Sequence, residues 1–296
     1  MTLRLYAAVT PVRDELENLE RLAECMAAQT VLPVQWIVVD NGSQDGTREL
    51  ADRLASQHAW IAVTTSEATA APEPGAPVVR AFAAGLELLR ESVDVIVKLD
   101  ADVSFENDHF ERLLAAFDRD PSLGIAGSVC LERSEGRWVE ATAAAQHVRG
   151  AVRAYRWSCW EVVGPLEPKL GWDTVDELKA SIAGWRTGTV DDVRFRHHRA
   201  VGERDGRRWS RARSQGRASH YLGYKAWYLV LRSLRRAIDD PAALAMMWGY
   251  FEAVARGEPR HADDAVRREA RRRQSVAQLP GRIAEARGGW SSRWRR

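Results

Sequence analysis

Cysteine and long apolar runs are both scarce in this chain of 296 residues. Its three cysteines, Cys25, Cys130 and Cys159, are far apart and form no CxxC pair. An odd, scattered set of cysteines excludes a disulfide scaffold, so we expect reduced thiols and a cytoplasmic location. No apolar run reaches the roughly 18 residues of a membrane-spanning helix. No apolar stretch follows a basic N-terminus either, so we expect no cleaved signal peptide.

Lysine is also scarce, because nearly all basic residues are arginine. The net charge of +2 conceals an asymmetry: residues 201–296 hold 22 basic and 10 acidic residues, a net charge of +12, which leaves −10 for residues 1–200. A basic segment of this kind is typical of contact with a polyanion, either nucleic acid or anionic lipid. No RNA- or DNA-binding motif accompanies it, so we expect no nucleic-acid partner.

The first hundred residues alternate between strand and helix patterns. Four β-rich runs, LRLYAAVT, VQWIVVD, WIAVTT and VDVIVKLD, are separated by helical patterns at about 14–28, 47–57 and 79–91. This alternation predicts an α/β fold built on an open parallel sheet. Ligands bind beyond the carboxyl ends of such strands. Thr10, Asp40 and Asp100 are all expected at that edge.

The alternation weakens after residue 118, where the pattern indicates a mixed extension of the sheet and a helix at about 175–183. Residues 199–217 are polar and rich in glycine and arginine, which predicts a mobile loop. Helices are expected after it near 221–238, 241–255 and 262–277. The sequence contains no internal repeat.

An Asp-x-Asp pattern, Asp100-Ala101-Asp102, follows the fourth apolar run. Two carboxylates on the turn after a strand can hold a hard divalent ion, which would neutralise charge on a diphosphate leaving group. The alternative is a solvated acidic turn, which is common in proteins. The acidic turn at Asp40, which follows another buried strand, favours the metal site.

Two motifs carry a specific family resemblance. VVDNGSQDGT (38–47) resembles the VVDDGSxDGT turn of family-2 glycosyltransferases, and TPVRDE (10–15) resembles their opening IPxxNE. The resemblance implies that Asp102 ligates Mn²⁺ or Mg²⁺ and that Asp40 hydrogen-bonds the nucleobase. It also implies a nucleotide-sugar site that includes Thr10, Pro11, Arg13, Glu15, Lys98 and Asp100. APVVRAFAAGL (76–86) resembles the family's next nucleotide-binding segment, where Arg80 is either a cation for the ribose or phosphates or an exposed helix charge.

The resemblance extends to the acceptor side. In GWDTVDELKASIAGW (171–185), Asp173 falls on the Asp of the family's Glu-Asp pair, whereas Trp172 replaces the Glu. An inverting transfer needs one carboxylate to take the proton of the acceptor hydroxyl. Asp173 is therefore the candidate base and Asp176 its fallback, and the alternative for Asp173 is a helix cap.

Two further features complete the resemblance. Either His197 or His198 falls where the family supplies a third metal ligand, and the choice between them stays open. In YRWSCWEVVG (155–164), Arg156 is a candidate contact to the diphosphate, although an arginine on an edge strand is ordinary. DGRRW (205–209) lacks the Gln of the QxxRW motif found in processive members, which favours transfer of a single sugar.

The resemblance implies a GT-A fold, a Rossmann-like mixed sheet flanked by helices, with a helical C-terminal appendage. Residues 1–200 would form the catalytic domain, with a nucleotide-sugar half at 1–105 and an acceptor half at 106–200, and residues 201–296 the basic loop and helical extension. The expected reaction is metal-dependent, inverting transfer of one sugar from a nucleotide donor to a glycan, lipid-linked or small-molecule hydroxyl. The alternatives are an inactive nucleotide-sugar-binding scaffold and a sugar-1-phosphate nucleotidyltransferase, although the chain has no GxGTRL-type loop.

The C-terminal helices allow two interpretations. Aromatic and aliphatic residues recur there at mostly three- and four-residue steps (Tyr221, Tyr224, Trp227, Tyr228 and Leu231), beside Arg232, Arg235 and Arg236. Such a stripe packs onto the catalytic domain or onto a second subunit as a homodimer. The alternative is that it lies in a lipid interface, as a peripheral contact at the inner face of the cell membrane.

Overall fold

The computed structural model describes residues 5–66, 75–134, 136–141, 147–198, 208–238 and 240–275. Within these ranges, one mixed sheet contains nine strands. They are β1 Tyr6–Val12, β2 Gln35–Asp40, β3 Ile61–Thr65, β4 Val95–Leu99, β5 Val103–Phe105, β6 Leu123–Ser134, β7 Arg137–Glu140, β8 Val152–Arg156 and β9 Arg186–His197. The helices are α1 Leu16–Ala27, α2 Thr47–Gln57, α3 Ala76–Leu86, α4 His109–Arg119, α5 Trp157–Val163, α6 Trp172–Ile182, α7 Arg208–Tyr221, α8 Ala226–Ala237, a 3-10 turn Pro241–Leu244, α9 Ala245–Ala255 and α10 Asp264–Arg272.

The strand order is β3-β2-β1-β4-β8-β6-β9-β5, with β7 paired to β6. The first four strands are parallel, as the alternating pattern predicted. All six residues of β2 are buried, as expected for a strand covered on both faces. The carboxyl ends of β1, β2 and β4 therefore share one edge, which carries Asp40 and the 100–102 turn.

The mixed extension begins at β8, which is antiparallel to both β4 and β6. Its first residue, Val152, pairs with Leu99 at the carboxyl edge, and its last, Arg156, pairs with Val95 at the opposite edge. β9 runs parallel to β6 and antiparallel to β5, which places His197 opposite both Glu132 and Val103. The end of β9 is thereby brought beside the Asp-x-Asp turn.

Two apolar clusters fill the two faces of the sheet. One joins the strands to α1, α2 and α4. The other joins them to α3, α5 and α6. The helices thus form two layers around a central sheet, which is the α/β arrangement expected from the sequence.

The C-terminal helices pack together and onto the catalytic layers. The segment 199–217 was predicted to be a loop, and this is wrong for 208–217, which belong to α7; residues 199–207 lie outside the described ranges. The reason is close helix packing: a Cβ added at Gly216 would collide with the Met246 carbonyl, and one at Gly249 would collide with the Arg213 carbonyl. The glycines that indicated flexibility are instead contact points between α7 and α9.

A separate small core fixes this unit to α6. It contains Val175 and Leu178 of α6, Leu222 after α7, and Val266 and Ala270 of α10. Along the described parts of the chain, every helix is too short or too polar to cross a membrane.

Candidate functional site

Asp40, the last residue of β2, holds the acidic turn that follows it through side-chain hydrogen bonds. The Asp40 carboxylate accepts the backbone N–H groups of Gly42 and Ser43, each at 3.2 Å. The turn is also tied to the segment after β1, because the Glu15 N–H donates to Thr47 Oγ1 at 2.8 Å. The two motifs that carry the family resemblance, residues 10–15 and 38–47, are therefore connected at the carboxyl edge of the sheet and are here called the ledge.

The four predicted residues of the first turn differ in accessibility. Thr10 is fully buried, and its hydroxyl accepts the indole N–H of Trp36 at 2.9 Å. The Thr10 hydroxyl thus supplies the acceptor that a buried indole requires, and the assignment of Thr10 to the nucleotide-sugar site stays a prediction. Glu15 is also buried, whereas Pro11 is partly exposed and Arg13 is exposed. Of the four, Arg13 is the most accessible to a ligand.

Lys98 and Asp100 form a paired unit at the end of β4. The buried Lys98 ammonium donates to Asp100 Oδ1 and to the Gly150 carbonyl, the latter at 2.7 Å. Burial raises the pKa of the Asp100 carboxyl, and the charge of Asp102 adds to the rise while Lys98 opposes it. The Lys98 ammonium also lies 5.8 Å from the Trp172 ring at the start of α6. Lys98 thus connects the first half of the site to the second.

His197 is the histidine that meets the Asp-x-Asp turn. Its Nε2 lies 3.3 Å from Asp102 Oδ1. Its neighbour His198 forms a hydrogen bond with Ser104 Oγ at 2.7 Å and packs edge-on against Trp138. The sequence left the choice between the two histidines open, and the structure brings His197 to Asp102.

The donor set around Asp102 fits a divalent cation. Burial alone lowers the pKa of His197, but the hydrogen bond and charge of Asp102 outweigh it and raise this pKa. The other ring nitrogen of His197, Nδ1, is buried and has no hydrogen-bond partner. One ligand atom each from His197, Cys130 and Glu132 lie within 4.8 Å of one another. Carboxylate oxygens suit Mn²⁺ and Mg²⁺, and imidazole is a common ligand of transition metals, so Asp102, Glu132 and His197 fit the metal that the resemblance implies, whereas the soft Cys130 thiol does not.

Asp173 lies in the first turn of α6 and does not cap it. The N-cap is Gly171, with φ of +91°, and no side chain makes a capping hydrogen bond there. The alternative of a capping role for Asp173 is therefore wrong. Its carboxylate is 29% exposed and lies 3.8 Å from His147 Nε2. Asp173 is thus a partly exposed carboxylate beside a titratable ring.

Asp176, the fallback base, is in a different setting one helical turn on. It is 1% exposed and accepts the Arg153 guanidinium at 2.5 and 3.0 Å and the Tyr155 hydroxyl at 2.6 Å. Arg153 is itself fully buried and also contacts Glu177 at 3.2 Å. A carboxylate held this way cannot reach an acceptor, which leaves Asp173 as the accessible one of the two.

His147 is a site residue that sequence reasoning missed. It bridges Asp173 and the buried Glu177, whose Oε1 lies 3.2 Å from His147 Nδ1 and accepts the Val148 N–H at 2.7 Å. Burial alone lowers the pKa of His147, but Glu177 and Asp173 outweigh it and raise this pKa. The segment ATAAAQHVRG carries no motif, so only the fold brings the ring to α6.

Arg156 is at the wrong edge of the sheet for a diphosphate contact. Its guanidinium donates to the carbonyls of Leu123, Phe117 and Asp120 at 3.0, 2.6 and 3.1 Å. Because β8 is antiparallel to β4, Arg156 pairs with Val95 at the start of that strand. The prediction that it approaches the diphosphate is wrong.

Arg80 is exposed on α3. The start of this helix lies against the chain that leads into α6, since a Cβ on Gly75 would be 3.0 Å from the Lys169 carbonyl oxygen. The helix is therefore close to the acceptor side, and a nucleotide contact by Arg80 stays a prediction.

Known proteins resemble this chain in sequence over its first half and in fold over most of its length. Residues 7–149 match the model of glycosyl transferase family 2. Over that segment, which is just under half of the chain, the sequence is similar to family-2 glycosyltransferases. The matched segment contains the ledge at Asp40, the Asp-x-Asp turn and His147.

Two curated relatives match this chain over parts of their length. A polyprenol monophosphomannose synthase from Mycolicibacterium smegmatis is 34% identical over 120 residues, which cover 40% of this chain and 42% of the relative. The glycosyltransferase AglE from Haloferax volcanii is 36% identical over 59 residues, 19% of each chain. The chain thus spans less than half the length of either relative.

Solved structures show that the domain has the GT-A fold. The mannosyltransferase PcManGT from Pyrobaculum calidifontis, solved with GDP-mannose and Mn²⁺, aligns with a TM-score of 0.56 at 18% identity, covering 97% of this chain and 85% of that one. GalNAc-T7, solved with UDP, GalNAc and Mn²⁺, aligns with a TM-score of 0.52 at 14% identity, covering 66% and 44%. The GT-A fold expected from the sequence is confirmed.

Proposed function

We propose that this protein is a metal-dependent, inverting glycosyltransferase that transfers one sugar from a nucleotide donor to an acceptor hydroxyl. The observation that carries the proposal is the pairing of Asp102 with His197 at 3.3 Å, at the edge where nucleotide-binding folds receive ligands. Asp173 supplies a partly exposed carboxylate on the adjoining acceptor side.

Asp102 and His197 are the residues that would hold Mn²⁺ or Mg²⁺. The bound ion would stabilise the negative charge that develops on the diphosphate leaving group. Asp100 is the other carboxylate of the turn, and its orientation is fixed by the hydrogen bond that Lys98 donates to its Oδ1. Arg13 and Arg80 are the exposed cations that we assign to the nucleotide.

Asp173 acts as the general base in this proposal. Its carboxylate takes the proton of the acceptor hydroxyl while that oxygen attacks the anomeric carbon and the nucleoside diphosphate departs. A single displacement of this kind inverts the anomeric configuration. Glu177 and Asp173 raise the pKa of His147, and its ring lies beside Asp173, where it limits the directions in which that carboxylate can turn.

The other interpretations have less support. An inactive binding scaffold needs no accessible carboxylate at the start of α6, yet Asp173 is 29% exposed there. A sugar-1-phosphate nucleotidyltransferase would carry a glycine-rich, lysine-containing loop after β1, where this chain has TPVRDE. Transfer of a single sugar is favoured over polymerisation because the QxxRW motif is incomplete.

We propose a cytoplasmic location at the inner face of the cell membrane. The three cysteines are unpaired, and two of them are buried, as is typical of reducing compartments.

GDP-mannose is the first donor to test, since a structural neighbour was solved with it. The acceptor is a hydroxyl of a glycan, a lipid-linked molecule or a small molecule.

Calorimetric titration of GDP-mannose and UDP-sugars, with Mn²⁺ and with EDTA, tests the proposal. We expect one donor class to bind in Mn²⁺, and Asp102→Asn to abolish the metal-dependent part while the protein stays folded. Asp52→Asn, on a 54% exposed carboxylate of α2, is the matched control. Equal donor affinity in Mn²⁺ and EDTA would contradict a metal-bridged site, and binding without product formation would favour the scaffold.

A further inference from the structure

The C-terminal helices expose an unusual number of large apolar side chains. Ile238 is 75% exposed, Trp248 69% and Leu231 53%. The part of this set on α8, the 3-10 turn and α9 is here called the apolar face, and Trp209 on α7, which is also exposed, is not included. The members of the apolar face are Trp227, Leu231, Leu234, Ile238, Leu244, Trp248, Phe251 and Val254. Single exposed apolar residues are normal, whereas a group on adjacent helices marks an interaction surface.

The spacing shows that the exposure is systematic. On α8 the exposed residues recur at steps of four, three and four, and from Leu244 through α9 at steps of four, three and three. These steps place each set on one side of its helix. The opposite side packs internally, through Leu229, Met246 and Tyr250. Each helix therefore has two apolar sides, and within the part of the chain that the structure describes only one of them is buried.

The charge next to the apolar face has a single sign on α8. That helix, AWYLVLRSLRRA, contains Arg232, Arg235 and Arg236 and no acidic residue. Large apolar side chains flanked by arginines fit the boundary between acyl chains and anionic headgroups. Long arginine side chains can follow apolar surface and still keep their charge in the headgroup layer.

Other occupants fit this charge less well. A twofold dimer would bring two copies of this arginine-bearing patch together, so the surfaces that meet would carry net charge of the same sign. Residues 276–296 of this chain carry five arginines and one glutamate, which gives them the same sign as α8. An anionic lipid surface is the occupant whose charge is complementary.

We propose that the apolar face of α8 and α9 docks this protein onto an anionic membrane surface. The inference is independent of the reaction proposed above. These helices are joined by packing to the candidate site at the carboxyl edge of the sheet, here called the cleft. Tyr224 packs against both the α8–α9 core and the small core that includes Val175 of α6. Docking would therefore hold α6, which carries Asp173, at a fixed height above the lipid.

Co-sedimentation of the full chain with vesicles tests the proposal. The vesicles are phosphatidylcholine alone, or phosphatidylcholine mixed with phosphatidylglycerol. We expect binding to the mixed vesicles, weakened by salt. Leu231→Glu with Trp248→Glu should lower partitioning by at least roughly tenfold, since each removes a large apolar side chain from lipid. Arg232→Gln and Arg236→Gln should each lower it about fivefold.

Val162→Glu, on a 54% exposed residue of α5, is the matched control and should bind as wild type does. Vesicle binding that is unchanged in the Leu231→Glu, Trp248→Glu variant would overturn the proposal. So would a wild-type dimer that dissociates in this variant while neither protein binds vesicles, because the face would then belong to a second copy. Unchanged circular dichroism of the variant shows that its loss of binding is not unfolding.

Discussion

The carboxylates of this protein occupy two contrasting regions. At the edge of the cleft, Asp102 and Asp173 are partly exposed, and each lies beside one histidine, at 3.3 and 3.8 Å. Beneath the cleft, Asp176 is 1% and Glu177 3% exposed, and both contact the fully buried Arg153. The cleft carboxylates thus lie beside histidines alone, whereas both buried carboxylates contact a permanent cation and Glu177 contacts His147 as well.

This contrast separates chemistry from structure within one helix. Asp173 and Asp176 are three residues apart on α6, yet only the first is accessible to a substrate. A buried ion pair adds little net stability, but breaking it by removing one partner is costly. Substitutions at the cleft edge should therefore change mainly the turnover rate, and substitutions in the buried layer mainly the free energy of unfolding.

The largest expected effect is on turnover in Asp173→Asn. The amide keeps the shape of the side chain and cannot accept the proton, so kcat should fall by about 10²–10⁴-fold. Donor affinity and the free energy of unfolding should stay near wild type. Steady-state kinetics and urea unfolding measure the two quantities.

Asp176→Asn is the matched comparison. It removes a charge that Arg153 pairs with, so it should lower the free energy of unfolding much more than Asp173→Asn does, with a smaller loss in turnover. Near-normal turnover in Asp173→Asn, or retained configuration in the product, would overturn the assignment of the base.

The next largest effect is on stability in Arg153→Met. The substitution leaves Asp176 buried without its cation and leaves Glu177 with His147 alone, which should cost about 3–5 kcal/mol in the free energy of unfolding. Adding Asp176→Asn should recover part of this loss, because one uncompensated charge is removed. If Arg153→Met alone were as stable as wild type, water would have to reach the buried carboxylates, and they would differ less from those at the cleft edge.

The cleft edge was more predictable from the sequence than the layer beneath it, for a physical reason. The Asp40 turn and the Asp-x-Asp turn are contiguous segments that follow apolar strands, and parallel strands bring their ends to one edge. The buried network joins residues far apart in sequence, such as Arg153 with Asp176 and His147 with Glu177. No local pattern indicates which residues will meet across the sheet.

Two errors have the same origin. Arg156 was expected at the cleft because the reversed direction of β8 could not be seen in its sequence, and direction decides which end of a strand reaches the site. Residues 208–217 were expected to be a loop because glycine disfavours helix, whereas close packing of Gly216 on α9 requires it. In both, tertiary structure overrides a local signal.

The metal side of the cleft gives a smaller effect. His197→Gln should weaken Mn²⁺-dependent nucleotide binding by roughly 10–100-fold, the scale at which a group that supports a metal site matters. His198→Gln should have little effect, because that ring is directed to Ser104 and Trp138. Calorimetry in Mn²⁺ compares the two variants. Equal losses would mean that the histidines share the role.

The smallest expected effect concerns His147, which contacts both regions. Its pKa is raised above the ordinary value of 6.5, so its stabilising charge is fully present below pH 6.5 and is lost as the pH rises through the raised value. His147→Gln should therefore lower the free energy of unfolding in mildly acidic buffer and have little effect in alkaline buffer. His58→Gln, directly after α2, is the control variant, because it removes an imidazole that lies outside the candidate site.

The same variant also tests whether the ring positions Asp173. If His147 restrains that carboxylate through the 3.8 Å contact, His147→Gln should reduce kcat while leaving donor affinity unchanged. The reduction should diminish at alkaline pH, where the wild-type ring also loses its charge. A purely structural role predicts a pH-dependent loss of stability with an unaltered rate profile, which would place His147 with the buried layer and not with the cleft edge.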